Sequence, residues 1–185
     1  LTDNSVVTVN SVGNSWVTTQ SAYGRLVVGA NNALGPSAGM IIGQPGSAAF
    51  LDLNGFTQEI GSLATAGTAS SQTIGSSSTT ADSKLIFNGT TNLSAYAGKI
   101  VDSIVSGTRK VALTVTSGRL QLDAANTYTG DTVISGGTLA LGAAGSIATT
   151  PLIDVGAAGT LDVSALAALT LASGQTLKGN GTVTG

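Results

Sequence analysis

The chain has 185 residues, including 26 Gly, 21 Ser and 26 Thr, whereas charged residues make up 9% and both His and Cys are absent. Without His and Cys, the sequence excludes Ser–His triads, thiol nucleophiles, disulfides and imidazole or thiolate metal sites. A net charge of −2 provides no basic field for nucleic acid, and an apolar content of 42% argues against disorder. No apolar run approaches the roughly 18 residues of a membrane-spanning helix.

Short alternating runs of apolar and polar residues recur along the whole chain and are typical of β-strands. In each run the outer apolar residues would face a core and the middle residue would face outward. Helix formers are scarce, since Glu59 is the single Glu and there are four Lys. In chain order the clearest runs are Val7–Val9, Leu26–Val28, Leu51–Leu53, Leu85–Phe87, Val111–Val115, Leu120–Leu122, Leu139–Leu141, Ile153–Val155 and Leu161–Val163.

The later runs repeat at a nearly constant interval. Each begins at a glycine, and these glycines are Gly118, Gly137, Gly159 and Gly181. Such a fixed period indicates one strand-containing unit stacked on itself. The sequence therefore predicts an all-β parallel β-solenoid of roughly 19–22 residues per coil and about nine coils. The alternative is a β-sandwich, because Asn-Gly pairs such as 54–55, 88–89 and 180–181 mark hairpins as well as solenoid bends.

We expect a single solenoid domain over residues 1–185. Within it, residues 1–22 are expected to form an N-terminal coil or pairing strand around Trp16, and residues 67–83 a low-complexity loop or irregular coil anchored by Ile74. Residues 117–185 carry the most regular repeats. Because the chain opens without Met or a charged signal segment, we interpret it as a piece of a longer precursor.

Residues 125–142 (ANTYTGDTVISGGTLALG) resemble the autotransporter-associated β-strand repeat, also called the passenger-associated transport repeat. Residues 51–63 (LDLNGFTQEIGSL) and 174–183 (GQTLKGNGTV) are similar to other segments of that family, and residues 13–29 are weakly similar to adhesin-type repeats. The resemblance implies a right-handed parallel β-helix in the passenger region of a type V secreted bacterial surface protein. It also implies an extracellular or outer membrane-associated location.

The resemblance favours a non-enzymatic stalk that aids secretion and display. The alternative is a self-assembling fibre subunit or adhesin that associates through β-strand edges, and a carbohydrate-active enzyme is the third hypothesis. Expected partners are copies of the chain itself, end to end or by strand addition, and an outer-membrane translocator domain in the precursor. Nucleic acid and small-molecule substrates are not expected.

The sequence predicts no catalytic, cofactor-binding or metal-binding residues and no cofactor. A glycosidase needs two nearby carboxylates, but the aligned outward positions Gln121, Ala140, Asp162 and Thr184 include one acid. Asp154 and Asp162 are expected on adjacent strands without basic or aromatic neighbours. The other acids are expected to be solvated or to cap turns, and this includes Asp52 as well as Asp123 and Asp131 beside Asn126. The scattered aromatic residues are expected to pack in or over the coils.

Overall fold

A computed structural model describes residues 6–9, 18–21 and 24–185. Trp16, Tyr23 and Asp3 lie outside these residues, as does most of the segment 1–22 that was expected to form an N-terminal coil. Within the described ranges no helix has the length and apolar character needed to cross a membrane.

The described residues form parallel strands separated by turns. The strands, in chain order, are β1 (Val6–Val9), β2 (Thr18–Ser21), β3 (Gly24–Val28), β4 (Gly39–Ile42), β5 (Ala49–Asp52), β6 (Thr57–Ile60), β7 (Ser62–Thr65), β8 (Gln72–Ser76), β9 (Ser83–Tyr96), β10 (Lys99–Ser103), β11 (Val111–Leu122), β12 (Thr132–Leu141), β13 (Leu152–Asp162), β14 (Thr176–Gly179) and β15 (Thr182–Thr184). A short 3-10 helix, Ala69–Ser71, precedes β8.

The strands stack into three parallel sheets that run along one solenoid of about seven turns. The first face has the order β1-β3-β5-β8-β10, and the second face has the order β2-β4-β7. The third face has the order β6-β9-β11-β12-β13-β14, with β15 also paired to β13. Each ladder thus joins a strand to its equivalent in the next coil, as predicted for a β-solenoid, and this parallel pairing rules out the β-sandwich alternative.

The core is a set of aliphatic columns inside the three faces. On the first face Leu26, Leu51 and Ile74 align and are buried. On the third face Val115 aligns with Phe87 and with Ile134, and all three are buried. Because a strand alternates its side chains between two faces, the apolar outer positions of the runs from Leu26–Val28 to Leu161–Val163 enter this core, as the sequence pattern predicts.

Two details of the predicted coil were wrong. The estimate of about nine coils is too high because the coils between Gly24 and Val111 are longer than the predicted period; Leu85, for example, aligns with Leu113 of the next coil. The central strands of the third face, β9, β11, β12 and β13, have 10 to 14 residues and are longer than the short runs of the sequence pattern. These long strands bend where the coil turns, but pairing with the neighbouring strands continues on both sides of the bend, so the strand does not end there.

Two predicted irregular segments contain ladder strands. The segment 67–83 includes β8, whose Ile74 pairs with Leu51 on one side and Ile100 on the other. The Asn88-Gly89 pair was predicted as a bend, but it lies inside β9. Asn88 still pairs with Ser117 of β11. At Asn54-Gly55 the bend prediction was right, since the two residues have φ of 47° and 85°.

Candidate functional site

The most regular part of the solenoid is the stack of β11, β12 and β13 on the third face. Leu120 aligns with Leu139, and Leu139 aligns with Leu161 in the next coil. All three side chains are fully buried. The sequence alignment predicted this register, and the structure confirms it, including the outward row Gln121, Ala140, Asp162 and Thr184.

Glycines stack at the bend of these strands. Gly118 and Gly137 have φ of 72° and 66°, and Gly137 aligns with Gly159. A Cβ atom added to Gly137 would lie 2.4 Å from the carbonyl oxygen of Gly118. The bend therefore requires glycine for two reasons: the backbone is left-handed, and successive coils approach closely.

The ladder of the first face ends at β10. In the next coil the side chain of Asn126 makes hydrogen bonds that a further strand would otherwise make. Its Oδ1 accepts a hydrogen bond from the Ile100 amide at 2.9 Å. Its Nδ2 donates to the carbonyl oxygens of Ala124 at 2.8 Å and Ser146 at 3.1 Å. The side chain is 3% exposed, so one buried amide satisfies backbone groups of three successive coils.

Tyr128 fills the core beside Asn126. Its hydroxyl lies 2.7 Å from the Thr132 Oγ1, and Thr132 continues to Thr150 at 3.3 Å. Burial raises the pKa of Tyr128 far above its usual range. The prediction that aromatic residues pack in or over the coils is confirmed for Tyr128, Tyr96 and Phe87, which are all fully buried.

Asp102 caps the turn that leads into this motif. Its Oδ1 accepts the amides of Val111 at 2.8 Å and Thr129 at 2.9 Å, and its Oδ2 accepts the Thr129 hydroxyl at 2.6 Å. One carboxylate thus fixes residues 9 and 27 positions later in the chain. This agrees with the expectation that the acids cap turns.

The expectation for Asp154 and Asp162 was wrong in two respects. Both lie on β13, and each has a basic partner in another coil. Lys178 Nζ lies 3.3 Å from Asp154 Oδ2, and Arg119 Nη1 lies 2.9 Å from Asp162 Oδ2. Sequence spacing missed these pairs because the partners come from different coils and meet only through the ladder register.

The Arg119–Asp162 ion pair spans two rungs of the third face. Arg119 is on β11 and Asp162 on β13, so the guanidinium crosses β12. The residue on β12 beside Asp162 is Ala140, which is 3% exposed despite its outward position. Hydrogen bonds from the Ser164 side chain and amide, together with Arg119, lower the pKa of Asp162 to about 2.

Asp52 caps a turn as expected but is not solvated. Its Oδ1 accepts the amides of Asn54 and Ser77, each at 2.9 Å, and its Oδ2 lies 3.1 Å from Arg25 Nη1. The side chain is fully buried. Because both carboxylate oxygens have partners, the charge of Asp52 can be buried.

The remaining acids do not converge on a reactive or metal-binding centre in the part of the chain that the structure describes, and no group of three potential metal ligands occurs there. Asp123 accepts a hydrogen bond from Gln121, Asp82 pairs with Arg109, and Glu59 accepts from Asn88. Asp131 is exposed.

Three glutamines have roles that the sequence patterns did not reveal, and two of them, Gln58 and Gln72, are fully buried. Gln72 accepts from the Ala49 amide at 3.0 Å and donates to Ser47 at 2.8 Å, which ties two coils together. Gln58 bonds in the same way to Leu34 and Gly35 of the preceding coil. Gln175 donates to Ile147 and Thr150. Gln58 and Gln175 belong to the segments 51–63 and 174–183, so the glutamine in each of these motifs was the signal that could have found them.

The fold and the stacked ladders define a parallel β-solenoid built from repeated coils. Residues 112–141 match the family model described as Passenger-associated-transport-repeat. The matched segment covers nearly all of β11, the turn with Asn126 and Tyr128, and all of β12. The chain therefore carries the repeat of autotransporter passenger regions, a family of secreted or surface-exposed bacterial proteins.

The match confirms the resemblance over most of residues 125–142. The resemblances of residues 13–29, 51–63 and 174–183 stay predictions. Neither the curated proteins nor the solved structures contain a match to this chain.

Proposed function

We propose that the chain is a non-enzymatic stalk segment of an exported bacterial surface protein, which aids secretion and holds another part of the protein away from the cell. The observation that carries this proposal is the position of the passenger repeat. Residues 112–141 coincide with two successive rungs of the third face, and that ladder runs from β6 through β13. The family segment is therefore one section of a continuous rod.

Coil stacking gives this rod a physical means to assist export. Each added coil completes a row of backbone hydrogen bonds and buries side chains such as Leu139 and Leu161. Burial of one such side chain contributes about 1.5–3 kcal/mol. Since each coil contacts only its neighbours, a chain that emerges from a membrane pore can fold coil by coil, and each folded coil opposes return.

The proposal includes a translocator domain in the precursor and a location on the cell surface. It includes neither nucleic acid nor turnover of a small-molecule substrate. A glycine- and threonine-rich chain without Cys suits passage in an unfolded state, because no disulfide forms before export.

The experiment places the chain upstream of an autotransporter translocator barrel in a Gram-negative host and measures surface display by protease accessibility on intact cells. Leu139→Asp should reduce display strongly, because it puts a charge into the core of the matched repeat. Ser135→Asp on the exposed side of the same strand is the matched control and should be displayed normally. Equal display of both variants would contradict a role of coil folding in export.

Electron microscopy of the displayed protein distinguishes the alternative function. Isolated rods support the stalk. Long fibres that grow with protein concentration would favour the self-assembling subunit that associates through strand edges.

A further inference from the structure

A cavity of about 360 Å³ lies on the outer surface of the third face, over the first residues of β9, β11 and β12. Three neighbouring coils each present three outward positions there, which form a square grid. Ala112 aligns with Lys84 of the preceding coil, and the pairing of Leu113 with Thr132 places Asp131 beside Ala112 in the following coil. The nine positions are Asp82, Lys84 and Ile86; Lys110, Ala112 and Thr114; and Thr129, Asp131 and Val133.

The cavity exists because the centre of this grid is alanine. The eight surrounding side chains are larger than that of Ala112, and all of them except Ile86 line the cavity. The same ladder has a second outward alanine, Ala140, but there the Arg119–Asp162 ion pair closes over the surface and leaves Ala140 only 3% exposed. Around Ala112 the corresponding charges are Lys84 and Asp131, and they form no such pair with each other or with other described residues.

One side of the rim carries Lys84, Lys110 and Asp82, and the other side carries Asp131. Lys84 and Lys110 are exposed, and neither ammonium group has a hydrogen-bond or ion-pair partner among the described residues. Asp82 lies between the two lysines, where its Oδ1 accepts the Lys110 amide at 3.1 Å and lies 2.9 Å from Arg109 Nε, so Arg109 balances its charge and the two ammonium groups are left in excess. On the far side the carboxylate of Asp131 has no partner in the described part of the chain, and Thr114 adds a hydroxyl between them.

We propose that this cavity binds a carboxylated sugar unit of an acidic glycan, without turnover. The carboxylate is recognised by the ammonium groups of Lys84 and Lys110, and the sugar hydroxyls donate to Asp131. Lys84 and Asp131 are two rungs apart, about 9.5 Å along the stack. A ligand must therefore carry its anion and its hydrogen-bond donors at opposite ends. A uronic acid ring has this arrangement, whereas a free amino acid carries both charges on one carbon.

The size and shape of the site agree with this ligand. A volume of about 360 Å³ lies near the lower end of ligand pockets, which span about 300–1,000 Å³. The floor is backbone and alanine, so a ring can approach the sheet closely. The cavity lies on a ladder face with neighbouring coils on both sides, so a longer glycan can continue across the surface.

The test is calorimetric titration of the full chain at low salt with galacturonic acid trimer, with a neutral galactose trimer and with inorganic phosphate. We expect the acidic trimer to bind at least about tenfold more tightly than either of the others. The Lys84→Gln, Lys110→Gln double variant should lose at least about tenfold in affinity for the acidic trimer, because two charge-assisted contacts are removed. Lys99→Gln, an exposed lysine on β10, is the matched control and should bind unchanged.

Ala112→Leu tests the cavity itself without altering any charge. The larger side chain fills the centre of the grid from the exposed face and should weaken binding at least about tenfold while the circular dichroism spectrum stays unchanged. The proposal is overturned if the acidic trimer does not bind, or if Ala112→Leu binds as well as the parent chain. It is equally overturned if phosphate or the neutral trimer binds as tightly, or if Lys99→Gln loses as much as the double variant.

Discussion

The coils from Gly24 to Lys110 and the coils from Val111 to Asp162 are built in different ways. In the first region most strands are short, and a long stretch of chain separates Leu85 from its aligned position Leu113. In the second region the strands have 10 to 12 residues, and a much shorter stretch separates Leu113 from its aligned position Thr132. Shorter coils leave less chain outside the ladder, so a larger share of the second region is held by stacking.

Buried polar side chains bond to backbone groups of neighbouring coils in both regions. In the first region Gln72, Gln58 and Asp52 are fully buried and bond to backbone groups of neighbouring coils. In the second region Asn126 bonds to Ile100 and Ser146 in the same way, and glycines stack in register at the bend of β11, β12 and β13. We expect the two regions to have separate stabilities, because in such a stack each coil contacts only its neighbours.

The largest expected effect comes from a charge in either core column. Leu139→Asp should destabilise the second region by more than about 4 kcal/mol, because an unpaired carboxylate is buried. Leu51→Asp should unfold coils of the first region and leave β11–β13 protected from limited proteolysis, with the fragments identified by mass spectrometry. Simultaneous loss of both regions in the Leu51 variant would show that they are one cooperative unit.

A smaller effect is expected at the glycine bend. Gly137→Ala adds a Cβ atom 2.4 Å from the Gly118 carbonyl oxygen and should lower the free energy of unfolding by about 3 kcal/mol or more. Gly174 has φ of 80° and open space around it, so Gly174→Ala is the matched control for backbone strain alone, about 1–2 kcal/mol. Urea denaturation measures both, and equal losses would mean that close coil approach contributes nothing at residue 137.

How far the sequence predicts the structure differs between the same two regions. The Gly-Thr-Leu repeats predict the register of residues 118–162 because the coils there have similar lengths, and the bend glycines mark it. The register of the first region cannot be predicted from the sequence, because β8 lies in a Ser- and Thr-rich segment where Ile74 is the single large apolar residue. The buried Gln72 and Asp52 could not be recognised, because polar side chains enter an interior only when partners from other coils are present.

In the candidate site, too, some features can be predicted from the sequence and others depend on contacts between coils. Sequence alignment identifies the outward row with Asp162, but Arg119 is two rungs away and its reach across Ala140 depends on three-dimensional spacing. The sequence likewise does not predict the cavity over Ala112. The coil that contains Lys84 is longer than the next one, so the register of Lys84 with Ala112 does not follow from a constant period.

A modest gain in stability is expected at a strained turn of the first region. Val105 has φ of 58°, which a β-branched residue rarely adopts, and it is 76% exposed. The turn is closed by a hydrogen bond from the Gly107 amide to the Ile104 carbonyl at 3.1 Å. Val105→Gly should stabilise the first region by about 1 kcal/mol in urea denaturation. Val105→Ala keeps the strain and should give a smaller gain, whereas a loss in the glycine variant would contradict strain at this turn.

The smallest expected effect is a pH dependence in the second region. The pKa of Asp162 is lowered from 3.8 to about 2 by Ser164 and Arg119, so its contribution to stability is complete above pH 3.8 and is lost as the pH falls toward 2. Asp162→Asn should flatten the stability curve of the second region over that interval. Thermal unfolding followed between pH 5 and about 2 measures this, and an unchanged slope in the variant would contradict the role of the ion pair.

Hydrogen exchange of the full chain, read out by mass spectrometry, tests most directly whether stacking of regular coils stabilises the rod. The amides of β11, β12 and β13 should exchange slowest, and those of β3, β4 and β5 should exchange earlier as a separate group. Uniform protection across both regions, or slowest exchange between Gly24 and Ile60, would contradict the account.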